Sequence, residues 1–151
     1  MMLTAAQLMT SDVLIAHASW SVTELTDFLG AHGISGAPVV SDEGLLVGVV
    51  SLTDIVKKVN PAAKMRDKQH AHDYYIYGPA YAHAPRSRGD AAAQMTVGEI
   101  MTLAVHDVPA AASATEIAEL MIRERIHRVF VTESGMVIGV VTAFDMLRAV
   151  R

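Results

Sequence analysis

Two stretches of this 151-residue sequence follow one pattern, Gly48-Val49-Val50-Ser51-Leu52-Thr53-Asp54 and Gly139-Val140-Val141-Thr142-Ala143-Phe144-Asp145. Each runs from a glycine through two apolar residues to a hydroxyl residue, and an aspartate follows three positions later. A short apolar run is typical of a buried strand. A hydroxyl residue followed three positions later by a carboxylate is typical of a helix start. Each stretch therefore predicts a strand that passes directly into a helix.

The chain repeats itself outward from these stretches, and a repeat decides how the rest of a sequence is interpreted. A shift of 92 residues brings Met9-Thr10 onto Met101-Thr102 and Ser21-x-x-Glu24 onto Ser113-x-x-Glu116; one residue is lost in a turn, and the shift is then 91. Both Ser-x-x-Glu pairs predict capping boxes at helix starts. Each copy therefore predicts the order β-α-β-β-α and an α/β fold.

The element bounds follow from the apolar spacing and the turn residues. Gly33 suits the end of the first long helix, whereas the second copy has Arg125 there, so we expect that helix to end differently. The predicted strands cover 13–16, 37–40 and 45–51 in one copy and 105–108, 129–132 and 136–142 in the other; the closing helices cover 54–59 and 145–150.

The two copies occupy residues 4–60 and 96–151, with an insertion over 61–95. A unit of about 50 residues buries little surface by itself, so we expect the two to pack together. The insertion shows no periodicity and contains Tyr74-Tyr75-Ile76-Tyr77. We expect a flexible segment whose aromatic part docks on another surface.

The composition excludes several classes of protein. A formal charge of -4, with 12 basic and 16 acidic residues, lacks the basic face that nucleic-acid binding needs. The absence of cysteine excludes disulfides and thiolate catalysis and fits a reducing compartment. We see no signal peptide and no membrane segment, and we expect a cytoplasmic protein. No catalytic motif occurs, so the sequence does not indicate an enzyme.

The two junctions can carry ligand chemistry. An ionised aspartate accepts hydrogen bonds from both hydroxyls of a ribose, and the serine or threonine hydroxyl can donate to a phosphate. The new helix favours an anion at its start, and the glycine lets the backbone approach a flat base. Ordinary helix capping without a ligand is the alternative. Recurrence of the motif at matching places in both copies favours the ligand.

The repeated unit resembles the cystathionine β-synthase (CBS) domain. The resemblance rests on the two junctions and on His32-Gly33-Ile34-Ser35-Gly36-Ala37-Pro38-Val39-Val40 and Arg125-Ile126-His127-Arg128-Val129-Phe130-Val131. It covers the whole chain except the insertion, and the tandem copies look like a Bateman module. It implies two units paired by pseudo-twofold symmetry and a non-catalytic regulatory role. It also implies clefts for AMP, ADP, ATP or S-adenosylmethionine as effector, a homodimer, and an effector protein that responds.

The resemblance also assigns roles to residues. Many members of the family carry a basic residue between the hydroxyl and the aspartate, where this chain has Leu52-Thr53 and Ala143-Phe144. Phosphate charge is then left to His127, Arg128 or residues of the insertion. The implied phosphate and ribose ligands are Ser51, Asp54, Thr142 and Asp145, and the implied base-lining residues are Val13, Ala37, Pro38, Val105, Arg128 and Val129.

Three alternatives remain at the level of sequence. One is a structural or protein-binding pair of units without a nucleotide. The second is an enzyme, or the detached regulatory part of one. The third is a metal sensor that uses the insertion residues His70, His72, Asp73 and His83.

Overall fold

The computed structural model describes residues 2–59 and 95–150. It contains two three-stranded sheets with helices, which confirms the predicted α/β class. The tyrosine segment 74–77 and the candidate metal ligands His70, His72, Asp73 and His83 lie outside the described residues. Among the helices of the described ranges, none combines the length and the apolarity needed to cross a membrane.

The first sheet has the order β1-β2-β3, with β1 parallel to β2. The predicted first strand is wrong in its bounds, because only Ala16 and His17 pair with β2, through Val39 and Val40. The elements of this copy are β1 (Ala16–His17), α2 (Val22–His32), β2 (Gly36–Val40), β3 (Leu46–Ser51) and α3 (Leu52–Val59), preceded by α1 (Ala5–Leu8).

The second sheet has the order β4-β5-β6, with β4 parallel and β6 antiparallel to β5. The closing helix α6 is a single turn that continues as a 3-10 helix over Leu147–Val150. The elements are α4 (Val97–Ile100), β4 (Asp107–Pro109), α5 (Ala114–Glu124), β5 (Arg128–Glu133), β6 (Met136–Thr142) and α6 (Ala143–Met146).

Both predicted capping boxes are present at the starts of α2 and α5. The Ser113 hydroxyl accepts a hydrogen bond from the Glu116 N–H at 3.2 Å, and the Glu116 carboxylate accepts one from the Ser113 N–H at 2.6 Å. The hydrogen bonds from the backbone and then from the hydroxyl of Ser113 lower the pKa of Glu116, because both favour the charged carboxylate.

The two long helices end in the same way, so the expectation of a different end for the second helix is wrong. Gly33 closes α2 with φ 62° and ψ 34°, and Arg125 closes α5 with φ 55° and ψ 45°. In each case the next residue donates its N–H back into the last turn, Ile34 to Leu29 and Ile126 to Met121, both at 3.0 Å. Arg125 adopts a left-handed conformation that is unfavourable for a residue with a Cβ atom.

The short helix at the start of each copy packs in the core of the other copy's sheet. Ala5 and Leu8 of α1 are buried with Ile117, Val129 and other residues of the second copy. Val97 and Ile100 of α4 are buried in the corresponding core of the first copy. The described residues thus form a first-sheet unit (15–42, 47–59 and 95–103) and a second-sheet unit (2–14, 43–46 and 104–150).

Backbone hydrogen bonds hold each short helix in its unit. In the second-sheet unit the N–H of Ala5 donates to the carbonyl of Ala112 at 2.7 Å. In the first-sheet unit the N–H of Val97 donates to the carbonyl of Trp20 at 2.8 Å. These bonds place the Met-Thr pairs that follow α1 and α4 beside the strands of the two junctions.

Candidate functional site

The junction of the first-sheet unit brings Ser51 and Asp54 together, as predicted. Ser51 is the last residue of β3, and α3 begins with the next residue. The Ser51 N–H and hydroxyl both donate to Oδ2 of Asp54, at 2.8 and 3.2 Å. Oδ1 of Asp54 lies 3.4 Å from the Thr102 hydroxyl, which donates to it.

The junction of the second-sheet unit brings Thr142 and Asp145 together in the same arrangement. The Thr142 N–H and hydroxyl both donate to Oδ2 of Asp145 at 2.8 Å, and the Asp145 N–H donates back to the hydroxyl at 3.3 Å. Within residues 2–59 and 95–150, Oδ1 of Asp145 has no hydrogen-bond partner. Both aspartates are half-buried.

Helix capping therefore takes place at both junctions, but it uses only one oxygen of each carboxylate. A carboxylate has lone pairs on two oxygens. Oδ1 of Asp145 is free of the cap, and Oδ1 of Asp54 has one long contact. Capping and the binding of a ribose are therefore compatible at each junction.

We expected the glycine of each motif to let the backbone approach a flat base. In the structure each glycine instead makes room for a side chain of the protein. A Cβ atom on Gly48 would lie 2.7 Å from Sδ of Met101 and 2.9 Å from the Thr102 carbonyl. A Cβ atom on Gly139 would lie 2.8 Å from Cγ of Met9. The Met-Thr pairs thus occupy the space above both glycines.

Thr102 is a site residue that the sequence interpretation missed. Its N–H and carbonyl pair with those of Val49 at 2.8 and 2.9 Å, which brings its hydroxyl to Asp54. Thr10 pairs with Val140 in the same way, at 2.9 and 3.0 Å. The repeat of Met-Thr in the sequence was the available signal.

The predicted base-lining residues fall into two groups. The side chains of Ala37, Pro38 and Val129 are buried, and Ala37 and Val129 belong to the hydrophobic cores, so they present almost no surface to a ligand. Val13 and Val105 are half-buried. Both lie in the second-sheet unit, so Val13 is not grouped with Ser51 and Asp54.

His127 and Arg128 border the second-sheet junction. The His127 carbonyl accepts the Ala143 N–H at 2.9 Å, and Arg128 is the register partner of Thr142 across β5 and β6. Both side chains are exposed. Within the described residues, no group of three or more His, Asp or Glu side chains is arranged to hold a metal ion.

An apolar groove of about 810 Å³ lies elsewhere on the second-sheet unit, and it includes neither Thr142 nor Asp145. Its apolar rim is unusually exposed for such side chains, with Ile122 77% and Val150 82% exposed. One acidic and one basic side chain, Glu119 and Arg148, also line it. The sequence interpretation did not identify this surface.

The model of the CBS domain family matches residues 5–61 and 97–151. An inosine-5'-monophosphate dehydrogenase from Nitrosopumilus maritimus is 33% identical over 66 residues, which are 44% of this chain and 14% of that protein. The methylated protein MJ0556 from Methanocaldococcus jannaschii is 36% identical over 50 residues, 33% of this chain and 29% of that protein. The matched segments are thus a small part of each relative.

Solved structures share the fold at lower identity. The CBS domain of a membrane protein from Sphaerobacter thermophilus has a TM-score of 0.74 at 24% identity, over 98% of this chain and 88% of that one. The CBS domain pair of MJ0100, in complex with 5'-methylthioadenosine and S-adenosyl-L-methionine, has 0.64 at 23%, over 98% and 95%. CBSX2 in complex with AMP has 0.66 at 23%, over 97% and 95%.

Proposed function

Because this chain belongs to the CBS domain family, we propose that it is a regulatory module that binds an adenosine-type ligand and signals its presence to a partner protein. The ligand class comprises AMP, ADP, ATP and S-adenosylmethionine. The binding residues are Ser51 and Asp54 in one unit and Thr142 and Asp145 in the other. The module acts by binding and has no catalytic role.

One observation carries this proposal. Both junctions hold a hydroxyl and a half-buried carboxylate in the same hydrogen-bonded arrangement, and the cap uses only Oδ2 of each carboxylate. Oδ1 can accept from a ribose hydroxyl while the cap stays intact. The solved complexes of MJ0100 and CBSX2 show that CBS domain proteins can bind adenosine derivatives.

A thermal-shift experiment on the full chain tests the proposal. We expect one of AMP, ADP, ATP or S-adenosylmethionine, at about 100 times its Kd, to raise the unfolding midpoint by several degrees. The double variant Asp54→Asn with Asp145→Asn should lose this response. Asparagine still offers an oxygen to the cap but lacks the charge that strengthens hydrogen bonds from a ribose.

The matched control is Glu24→Gln with Glu116→Gln, which removes the charge from two caps outside the junctions. This control should keep the ligand response. A cooperative transition that no adenosine ligand shifts would contradict the proposal. It would favour a structural or protein-binding pair of units, in which both aspartates act only as caps.

We further propose that a second copy of this chain covers the apolar groove in the expected homodimer. The groove brings the exposed apolar side chains of Ile122, Leu147 and Val150 together on one surface, whereas exposed apolar residues usually occur singly. Glu119 and Arg148 give the groove both signs of charge. In a twofold dimer, where the same surface faces itself, the two charges of each copy can pair with their opposites in the partner.

Ile122→Asp is expected to convert a dimer to a monomer in sedimentation velocity, because it places a charge in the apolar rim. The unfolding midpoint of the monomer should change little, since Ile122 is 77% exposed. Leu103→Asp is the control, because Leu103 is 75% exposed but lies outside the groove. A monomeric parent protein, or a dimer that survives Ile122→Asp, would count against this surface.

A further inference from the structure

The loops that lead from the long helix into the second strand differ in charge between the two units. At four matching positions the first-sheet unit has a small neutral residue and the second-sheet unit has a basic one. In the first-sheet unit the four positions hold Ala31, Gly33, Ser35 and Gly36. In the second-sheet unit they hold, in the same order, Arg123, Arg125, His127 and Arg128.

Two of the three arginines are available for a ligand. Nε of Arg123 pairs with the Glu124 carboxylate at 3.0 Å. Arg125 and Arg128 are exposed, and neither has an acidic partner within residues 2–59 and 95–150. In the first-sheet unit, His32 is the basic residue of the corresponding segment, and its Nδ1 lies 2.9 Å from the Phe28 carbonyl.

Arg128 lies opposite the junction hydroxyl. It is the direct register partner of Thr142 across the antiparallel strands β5 and β6. Directly opposed residues project from the same face of a sheet, with Cβ atoms about 5 Å apart. The guanidinium is therefore within reach of a phosphate that lies beside Thr142, and it can bind two phosphate oxygens at once.

Within residues 2–59 and 95–150, the first-sheet unit has no cation at the position equivalent to Arg128, and the geometry there prevents one. Gly36 occupies the place of Arg128, and a Cβ atom there would lie 2.9 Å from the Val50 carbonyl and 3.4 Å from Cβ of Ser51. A side chain at this position would collide with the backbone of β3. A carboxylate that repels a phosphate lies beside both junction hydroxyls, Asp54 at 3.2 Å from Ser51 and Asp145 at 2.8 Å from Thr142. At the second-sheet junction Arg128 offsets that charge.

Arg125 gives a second, independent indication. It keeps an unfavourable left-handed conformation at φ 55°, in the position where the first-sheet unit has Gly33. A residue other than glycine in this conformation is a reason to look for a function of its side chain. A cation beside Arg128 supplies such a function.

We propose that the two junctions select different ligands. The second-sheet junction takes a phosphorylated adenosine derivative, with Arg128 and Arg125 bound to the phosphate. The first-sheet junction takes an adenosine derivative without phosphate. This inference rests on the proposed function, and it assigns a ligand class to each of its sites.

Calorimetric titration of the full chain with AMP and, separately, with adenosine tests the inference. Arg128→Gln should weaken AMP binding by about 10- to 100-fold, the loss expected for hydrogen bonds to a charged group. We expect the first-sheet junction to be the tighter of the two sites for adenosine. The effect of Arg128→Gln on adenosine binding there should be below about twofold, since no arginine among residues 2–59 and 95–150 occupies the matching position. Asp145→Asn should remove the AMP site, and Asp54→Asn should remove the tighter adenosine site. Arg123→Gln is the control, because Arg123 is paired with Glu124.

Three results would overturn the selection of different ligands while leaving the proposed function intact. The first is AMP binding that depends on Asp54 and not on Asp145. The second is AMP binding that Arg128→Gln leaves unchanged. The third is an equal loss of affinity for AMP and for adenosine in Arg128→Gln. If the parent protein binds neither AMP nor adenosine nor any other adenosine ligand, the proposed function fails as well.

Discussion

Leu8→Ala is expected to lower the free energy of unfolding of the second-sheet unit by about 2–5 kcal/mol. Leu8 is 1% exposed and lies in the core with Ile117, Val129 and Val141. The substitution removes three side-chain carbons and leaves a cavity in a core that relaxes only in part. Although Leu8 lies within the first copy of the repeat, we expect the sheet of the second copy to lose stability.

Hydrogen exchange measured strand by strand tests this prediction. In Leu8→Ala, exchange should accelerate most in β5 and β6. In the matched variant Ile100→Ala it should accelerate most in β2 and β3, because Ile100 is 5% exposed in the core of the first-sheet unit. The opposite pattern, in which each short helix stabilises the sheet of its own copy, would refute the exchange of short helices.

Gly48→Ala and Gly139→Ala are each expected to cost about 1–3 kcal/mol, as other insertions of atoms into packed sites do. The new Cβ at position 48 would lie 2.9 Å from the Thr102 carbonyl, so the backbone has to move. That movement also displaces the Thr102 hydroxyl from Asp54. Gly48→Ala should therefore weaken ligand binding at the first-sheet junction in addition to lowering stability.

Gly30→Ala is the control for both glycine variants. A Cβ atom on Gly30 meets no atom within 4 Å, and Gly30 lies inside α2, where alanine is favoured. Chemical denaturation should show Gly30→Ala to be more stable than the parent by about 0.5–1 kcal/mol. If Gly48→Ala and Gly139→Ala proved as stable as Gly30→Ala, the Met-Thr pairs would not pack against these glycines as described.

The two junctions were predictable from the sequence because their chemistry is local. Ser51 with Asp54, and Thr142 with Asp145, are three residues apart, and one turn of helix brings them together. Thr102 was not predictable as a partner of Asp54, since 48 residues separate them. The burial of Ala37, Pro38 and Val129 was also missed, because an apolar residue beside a motif can face either the core or a ligand.

The sequence by itself determined the α/β class, the repeated β-α-β-β-α order and the capped helix starts. These features depend on hydrophobic periodicity and on side chains that reach three or four residues along the chain. It did not determine that Arg125 closes α5 in a left-handed conformation, because the intrinsic preference of arginine opposes that choice and packing overrides it.

Only the tertiary structure decided which sheet each short helix joins and what fills the space above Gly48 and Gly139. Each short helix buries two apolar residues, Ala5 and Leu8 in α1 and Val97 and Ile100 in α4. The pattern of apolar residues shows that a helix face will be buried, but it does not show against which sheet. The hydrophobic effect stabilises the fold in proportion to the apolar area buried and has no direction. The choice is made by backbone hydrogen bonds and close packing between residues far apart in the chain.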